Sequence, residues 1–322
     1  METIIKDYKS LLDCSNQNLT IFMPLLESLN CDNLTTFMPL LKELNCSNNN
    51  LTTLPPMPLL EILFCQNNKI TTLPELPLLT YLKCDNNHLT TLPPMPLLID
   101  LNCINNNLTT LPETPLLKWL MCDNNKLTTL TYMETLKVLH CDNNHLTTLP
   151  YMESLIYLYC ENNKLTTLPE LPLLKTLFCK NNNLTTLPYM ESLKYLHCEN
   201  NKLITLPEMP LLRWLSCEKN KLTTLPYMES LKYLHCEHNN LTTLPYMPLL
   251  TYLHCKHNNL TILPYMETLE MLGCDDLILL HEMPLVKYLH FKKLNVCSLM
   301  INVKYILKMK IKKIYSNLAT YM

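Results

Sequence analysis

The chain has 322 residues, of which 48% are hydrophobic and 17% charged, and its formal net charge is −2. This near-neutral charge argues against nucleic-acid binding through phosphate contacts, and the single glycine, Gly273, excludes the glycine-rich loops of nucleotide sites and nucleophile elbows. The apolar fraction suffices for a sizeable core, and no run of about 18 apolar residues predicts a membrane span.

The first segment, residues 1–13, has the pattern of a short amphipathic helix and is predicted to be an N-terminal cap. Residues 1–7 lack the apolar core of a secretion signal. We therefore expect an intracellular, cytoplasmic protein.

Sixteen cysteines mark a repeat along most of the chain. From Cys46 to Cys274 they recur in twelve successive steps of 19 residues, and a fixed period indicates a repeat architecture rather than a disulfide framework. The consensus is Leu-x-x-Leu-x-Cys-x-Asn-Asn-x-Leu-Thr-Thr-Leu-Pro-x-Met-Pro-Leu. It matches the signature Leu-x-x-Leu-x-Leu-x-x-Asn-x-Leu, with cysteine replacing the third leucine. Over roughly residues 11–291 the chain resembles a leucine-rich-repeat protein.

The resemblance implies a horseshoe-shaped leucine-rich-repeat solenoid. Around each cysteine, buried and outward positions alternate as in a strand with one buried face: Leu196 and Cys198 point inward, His197 and Glu199 outward. We expect a parallel β-sheet on the concave face. Return segments such as residues 71–77 hold two prolines three apart, which favours an extended, polyproline-like convex face with little helix. Similar short repeats occur in bacterial effector proteins, and versions rich in Asn and Cys resemble predicted repeat proteins of giant DNA viruses.

The solenoid is predicted to span residues 14–291 with about 16 rungs. Its early repeats are short, with 17 residues from Cys14 to Cys31 and 15 from there to Cys46. The last rung is expected at residues 286–291, with Phe291 in the cysteine position. Residues 292–322 are predicted to form a basic C-terminal cap or tail.

Two columns of residues are predicted to be structural. Asparagine recurs three residues after the cysteines, where its amide can bond the backbone of the next rung. Asparagine also tolerates left-handed backbone geometry, which would let the fold form almost without glycine. The cysteines are expected to be reduced core fillers, because parallel Cβ directions suit neither a disulfide nor tetrahedral metal coordination.

The outward strand positions are the candidate binding site, because the core does not require large aromatic residues there. Exposed tyrosine and tryptophan are typical of binding hot spots, and a charged rim favours selection of a partner. The alternative interpretation is that duplicated repeats share residues and that aromatic residues favour strands. The aromatic and imidazole candidates are Trp119, Tyr157, Tyr159, Tyr195, His197, Trp214, Tyr233, His235, Tyr252 and His254. The charged candidates are Lys194, Arg213, Lys232, Glu199, Glu218 and Glu237.

Four histidines offer a second possibility near Glu237. They are His235, His238, His254 and His257, at matched places on two adjacent rungs. Imidazoles bind zinc or nickel well, but residues three apart on a strand face opposite ways unless the following turn bends them back. Surface variation is the simpler interpretation, so no metal site and no cofactor is assigned.

No catalytic arrangement emerges, because the few serines lack an ordered histidine and carboxylate in any recognisable motif. The effectors that the chain resembles can carry a ubiquitin-ligase domain, and the roughly 25 residues after Cys297 are too few for one. We therefore expect a non-enzymatic, monomeric module that binds a protein partner through its concave face, with no nucleic-acid or membrane partner. The alternatives are a structural or assembly scaffold and a metal-binding repeat protein.

Overall fold

The structure, a computed structural model, describes residues 11–20, 41–275 and 283–290. These residues form fifteen strands of three residues each and no helix. The chain divides into two compact units, Met1–Leu174 and Lys175–Met322, called unit 1 and unit 2. Unit 1 contains β1 (Leu11–Asp13), β2 (Glu43–Asn45), β3 (Ile62–Phe64), β4 (Tyr81–Lys83), β5 (Asp100–Asn102), β6 (Trp119–Met121), β7 (Val138–His140) and β8 (Tyr157–Tyr159). Unit 2 contains β9 (Thr176–Phe178), β10 (Tyr195–His197), β11 (Trp214–Ser216), β12 (Tyr233–His235), β13 (Tyr252–His254), β14 (Met271–Gly273) and β15 (Tyr288–His290).

Within each unit the strands pair in chain order, parallel and in register. In unit 2, for example, Leu196 lies opposite Leu215, and Leu215 lies opposite Leu234. The central residue of each strand from β2 to β14 is a buried leucine, because one face of a single strand can be buried only by stacking rungs. The predicted parallel solenoid with little helix is confirmed.

The cysteine after each strand completes the core. All fourteen cysteines in the described part of the chain are free and buried, so their predicted role as core fillers fits the packing. Burial raises the pKa of the Cys14 thiol to about 12, and it raises the pKa of the more deeply buried Cys122 well above its ordinary value. These thiols therefore stay protonated and unreactive near neutral pH.

The asparagine column works as predicted, as Asn125 shows. Its Oδ1 accepts a hydrogen bond from the backbone N–H of Leu108 at 3.0 Å. Its Nδ2 lies 3.0 Å from the carbonyl oxygen of Cys103 and 3.1 Å from that of Cys122. The preceding Asn124 takes the left-handed conformation, with φ of 55°. The two neighbouring asparagines thus have different roles. Asn125 bonds buried backbone groups, and Asn124 takes the left-handed conformation that turns the chain.

The return segments are extended, as predicted, and each contains one tight turn. In this turn the N–H of a buried leucine donates to the carbonyl oxygen three residues earlier, as Leu98 does to Met95 at 3.1 Å. The two side chains are both buried. The turn therefore places two apolar residues in the core without a helix.

The N-terminal part of the solenoid differs from the prediction. Leu11–Asp13 form β1, so the end of the predicted cap belongs to the first rung. Strand β1 pairs directly with β2, with Leu12 opposite Leu44. The rung predicted at Cys31, the rest of the cap and the basic tail fall outside the described residues.

At the other end, β15 lies where the last rung was predicted. The predicted boundaries of cap, solenoid and tail otherwise stay predictions. The described residues contain no helix with the length and apolar character that crossing a membrane requires.

Candidate binding face

The outward side chains of the strands form a surface that we call the strand face. It consists of the first and third residues of each strand, together with the residue after each cysteine. Because side chains alternate along a strand, the strand positions flank the buried leucine and most of them remain at least partly accessible, with Thr176, Ser216 and Gly273 as buried exceptions. In β10, for example, Tyr195 is exposed, Leu196 is buried and His197 is half-buried.

In unit 2 the rings of the strand face stack from rung to rung. The Trp214 ring lies 4.7 Å from that of Tyr233, and the His235 ring lies 4.9 Å from that of Tyr252. Tyr233 keeps 39% of its surface exposed. Strand spacing of about 4.8 Å brings rings on successive rungs into stacking distance. We call this set the aromatic row: Phe178, His197, Trp214, Tyr233, His235, Tyr252 and His254.

Unit 1 has shorter aromatic clusters. Phe64 and Tyr81 lie 5.5 Å apart, and the Lys83 Nζ lies over both rings at 5.8 and 5.6 Å. His140 stacks on Tyr159 with 4.1 Å between ring centroids.

Three predicted candidates lie outside these clusters. Trp119, Tyr157 and Tyr195 are exposed on the strand face, and none stacks on another ring in the described part of the chain. The predicted aromatic set is therefore only partly assembled into one surface.

The acidic candidates of unit 2 lie beside the imidazoles of the aromatic row. The three glutamates are half-buried, and each Oε2 is buried without a hydrogen-bond partner among the described residues. Burial, opposed by a backbone hydrogen bond and reinforced by the charges of Glu199 and Glu237, raises the pKa of Glu218 to about 7. The distances from ring Nδ1 to carboxylate Oε1 are 3.3 Å for His197 and Glu199, 3.8 Å for His235 and Glu218, and 3.2 Å for His254 and Glu237.

The predicted basic candidates lie immediately before the strands. Arg213 and Lys232 are exposed and Lys194 is half-buried. None of the three forms an ion pair within the described ranges. Their charges therefore remain available along one border of the strand face.

The four predicted histidines separate into two pairs. His238 and His257 lie in the turns, with left-handed φ of 56° and 55°, and their rings stack at 4.2 Å. His235 and His254 instead converge on Glu237, and one ligand atom from each of these three residues lies within 4.8 Å of the others. Neither turn histidine belongs to this cluster.

Gly273 contributes to the site in a way that the sequence analysis did not foresee. It lies opposite His254 in the neighbouring strand. A Cβ atom built on it would lie 2.7 Å from Cδ2 and 2.9 Å from Nε2 of the imidazole. Its φ is not positive, so its backbone does not require glycine. Its position directly before Cys274, where other repeats carry a side chain, was the available signal.

Comparisons with known proteins support the fold. A family model described as leucine-rich repeats in two copies matches residues 39–78. No curated protein matches this sequence. Among solved structures, YopM of Yersinia pestis, a leucine-rich effector protein, is 27% identical, with 88% of each chain covered and a TM-score of 0.55.

Two further bacterial structures are similar. A leucine-rich-repeat protein of Leptospira interrogans is 25% identical over 92% of this chain and 94% of its own, with a TM-score of 0.61. The functional domain of InlJ from Listeria monocytogenes, which includes a cysteine ladder, is 28% identical over 89% of this chain and 63% of its own, with a TM-score of 0.62. The chain therefore has the leucine-rich-repeat fold, with repeats similar to those of bacterial effectors.

Proposed function

We propose that the chain is a non-enzymatic interaction module that binds a protein partner through the strand face of unit 2. Proteins with leucine-rich repeats generally serve as protein-interaction modules. The observation that carries the proposal is the aromatic row, which stacks over successive rungs without contributing to the leucine and cysteine core.

The chemistry of the row favours a protein ligand. Stacked rings held on strands offer large apolar contact area at a small cost in conformational entropy, and tryptophan and tyrosine are enriched among interface hot spots. The unpaired cations of Arg213 and Lys232 border the row. They favour a partner that presents carboxylates beside an apolar patch, since complementary charge directs orientation and association rate.

The proposal extends to the setting of the protein. We propose that the protein is a monomer in the cytoplasm and that its partner is neither a nucleic acid nor a membrane. The fourteen free, buried cysteines suit a reducing compartment. The likeness to giant-virus repeat proteins stays a prediction.

The test is capture of a partner by wild type and by a Trp214→Ala/Tyr233→Ala variant. A protein captured from lysate is identified by mass spectrometry, purified, and titrated against each variant. Loss of two hot-spot residues is expected to weaken binding by about 30-fold or more, while thermal unfolding changes by only a few degrees.

The matched control replaces two tyrosines of the return segments. Tyr189 and Tyr227 are 57% and 55% exposed and lie off the strand face. The Tyr189→Ala/Tyr227→Ala variant should bind as wild type does. The proposal would be contradicted if Trp214→Ala/Tyr233→Ala bound the partner as tightly as wild type, or if the control variant lost as much affinity as the strand-face variant. A concentration-dependent oligomer that binds no other protein would instead favour the scaffold alternative.

A further inference from the structure

We propose that His235, Glu237 and His254 form a binding site for one divalent transition-metal ion of the zinc class. The three residues come from two adjacent rungs of unit 2 and converge on the strand face. This inference does not depend on the protein-binding proposal.

The donor geometry suits such an ion. Oε1 of Glu237 lies 3.2 Å from Nδ1 of His254 and 4.0 Å from Nδ1 of His235. A tetrahedral zinc ion with ligands at about 2.0–2.1 Å separates neighbouring donors by roughly 3.3 Å. Small side-chain rotations would therefore complete three of four coordination positions. Two imidazoles with one carboxylate favour zinc, cobalt, nickel or copper over magnesium and calcium, which prefer oxygen ligands.

Tyr252 can fix the orientation of one ligand. Its hydroxyl oxygen lies 3.1 Å from Nε2 of His254. When Nε2–H donates to this oxygen, the lone pair is on Nδ1, which faces Glu237. In the ion-free protein Nδ1–H can instead donate to Glu237, and the tyrosine hydroxyl can donate to Nε2. Such hydrogen bonding of the second ring nitrogen is typical of histidines that bind metals.

The carboxylates around the cluster also favour a cation. Oε2 of Glu237 is buried and has no hydrogen-bond partner among the described residues. Oε1 of Glu218 lies 3.8 Å from Nδ1 of His235 on the opposite side. A bound cation would offset the repulsion between these stacked carboxylates and lower the cost of burying a carboxylate whose Oε2 has no partner.

The lone glycine is the independent observation. Gly273 is the only glycine among 322 residues, and it lies under the His254 ring, where a Cβ would come within 2.7 Å of the imidazole. The backbone there does not need glycine. The missing side chain therefore leaves space for the imidazole in the position from which its Nδ1 lies 3.2 Å from Oε1 of Glu237.

The experiment is a zinc titration of the purified full chain, kept reduced and stripped of metal by a chelator. We expect one Zn²⁺ per folded chain. His235→Gln/His254→Gln should lower the affinity by more than about 100-fold, because it removes two ligands. His238→Gln/His257→Gln changes the stacked pair on the same two rungs and should leave the affinity unchanged. Absence of stoichiometric zinc on folded wild type, or equal loss in both double variants, overturns the proposal.

Two single substitutions test the geometry with His254 still present. Gly273→Ala should displace the ring and lower zinc affinity by about 10–100-fold, and Glu237→Gln should lower it at least as much. Both variants are first checked for native thermal unfolding. Wild type loaded with Co²⁺ should show nitrogen and oxygen ligation. A thiolate-to-cobalt charge-transfer band, or unchanged affinity in both single variants, would overturn the site.

Discussion

Units 1 and 2 use the residue after the cysteine in different ways. In unit 1 two of the residues at this position are Asp123 and Asp142, and each carboxylate accepts a backbone N–H. Oδ1 of Asp123 accepts the backbone N–H of Asp142 at 2.7 Å, and Oδ1 of Asp142 accepts that of Glu161 at 2.6 Å. In unit 2 the position holds Glu199, Glu218 and Glu237, whose carboxylates lie beside imidazoles of the strand face.

These aspartates and glutamates differ in side-chain length by one methylene group. The shorter Asp123 and Asp142 each accept the N–H of the next rung, and the second oxygen of Asp123 lies 4.0 Å from Nδ1 of His140. The longer glutamate extends its charge over the strand, next to side chains that can bind. Asp275 in unit 2 supports this distinction, because it also accepts a backbone N–H, that of His257. The same acidic position thus bonds the backbone in Asp123 and Asp142 and lies beside imidazoles in Glu199, Glu218 and Glu237.

The largest expected effect tests whether the asparagine column stabilises the two units equally. Asn125→Ala in unit 1 and Asn220→Ala in unit 2 each remove an amide that bonds one buried N–H and nearby carbonyl groups. Each should lower the free energy of unfolding by roughly 3–5 kcal/mol, because several backbone groups lose their partners. Urea unfolding measures both losses.

The control substitutions are Lys126→Ala and Lys221→Ala. Each lysine is exposed and directly follows the asparagine, so its loss should change stability by less than about 0.5 kcal/mol. If Asn125→Ala and Asn220→Ala lower the free energy of unfolding by amounts that differ by several kcal/mol, the asparagine column stabilises the two units unequally, and the units differ in more than their strand face.

The repeat framework common to both units could be predicted from the sequence. Leucine and cysteine recur with a fixed period, so strand positions, core and asparagine column follow from spacing alone. The direct pairing of β1 with β2 could not be predicted, because the spacing of the first repeats is irregular. The sequence placed four histidines near Glu237 but could not show that His235 and His254 converge on it, because the repeat period does not encode the reach of a side chain. Sequence spacing grouped His235 and His254 with His238 and His257, but the latter two lie in the turns and are not part of the cluster.

A smaller effect concerns the charge of Asp142. Burial, opposed by the hydrogen bond from the Glu161 backbone and reinforced by nearby carboxylates, raises its pKa from 3.8 to about 7. The folded state therefore binds more protons than the unfolded state between these values, and the stability associated with this group falls as pH rises from about 4 through 7. Asp142→Asn keeps the oxygen that accepts the N–H and removes the charge. It should raise the free energy of unfolding at pH 8 by about 1–2 kcal/mol after allowance for solvent screening.

Denaturant unfolding at pH 4 and pH 8 checks this prediction, with Glu218→Gln as the counterpart in unit 2. Burial likewise raises the pKa of Glu218 to about 7, so both substitutions should flatten the pH dependence. A stabilisation by Asp142→Asn that is the same at pH 4 and pH 8 would show that the charge is not its cause.

The smallest expected effect is spectroscopic and uses the two tryptophans, one in each unit. Trp119 is 40% exposed and stacks on no ring within the described residues. Trp214 is half-buried, stacks on Tyr233 at 4.7 Å, and its Nε1 donates to Oγ of Ser216 at 3.2 Å. In the Trp119→Phe chain, which retains Trp214, acrylamide should quench fluorescence less than in the Trp214→Phe chain, because the stacked ring covers one face of the indole. Adding Tyr233→Ala to the Trp119→Phe chain should uncover that face and raise quenching toward the Trp119 value. Unchanged quenching would mean that the aromatic row does not persist in solution as a stacked surface, and the contrast between the units would then rest on the carboxylates alone.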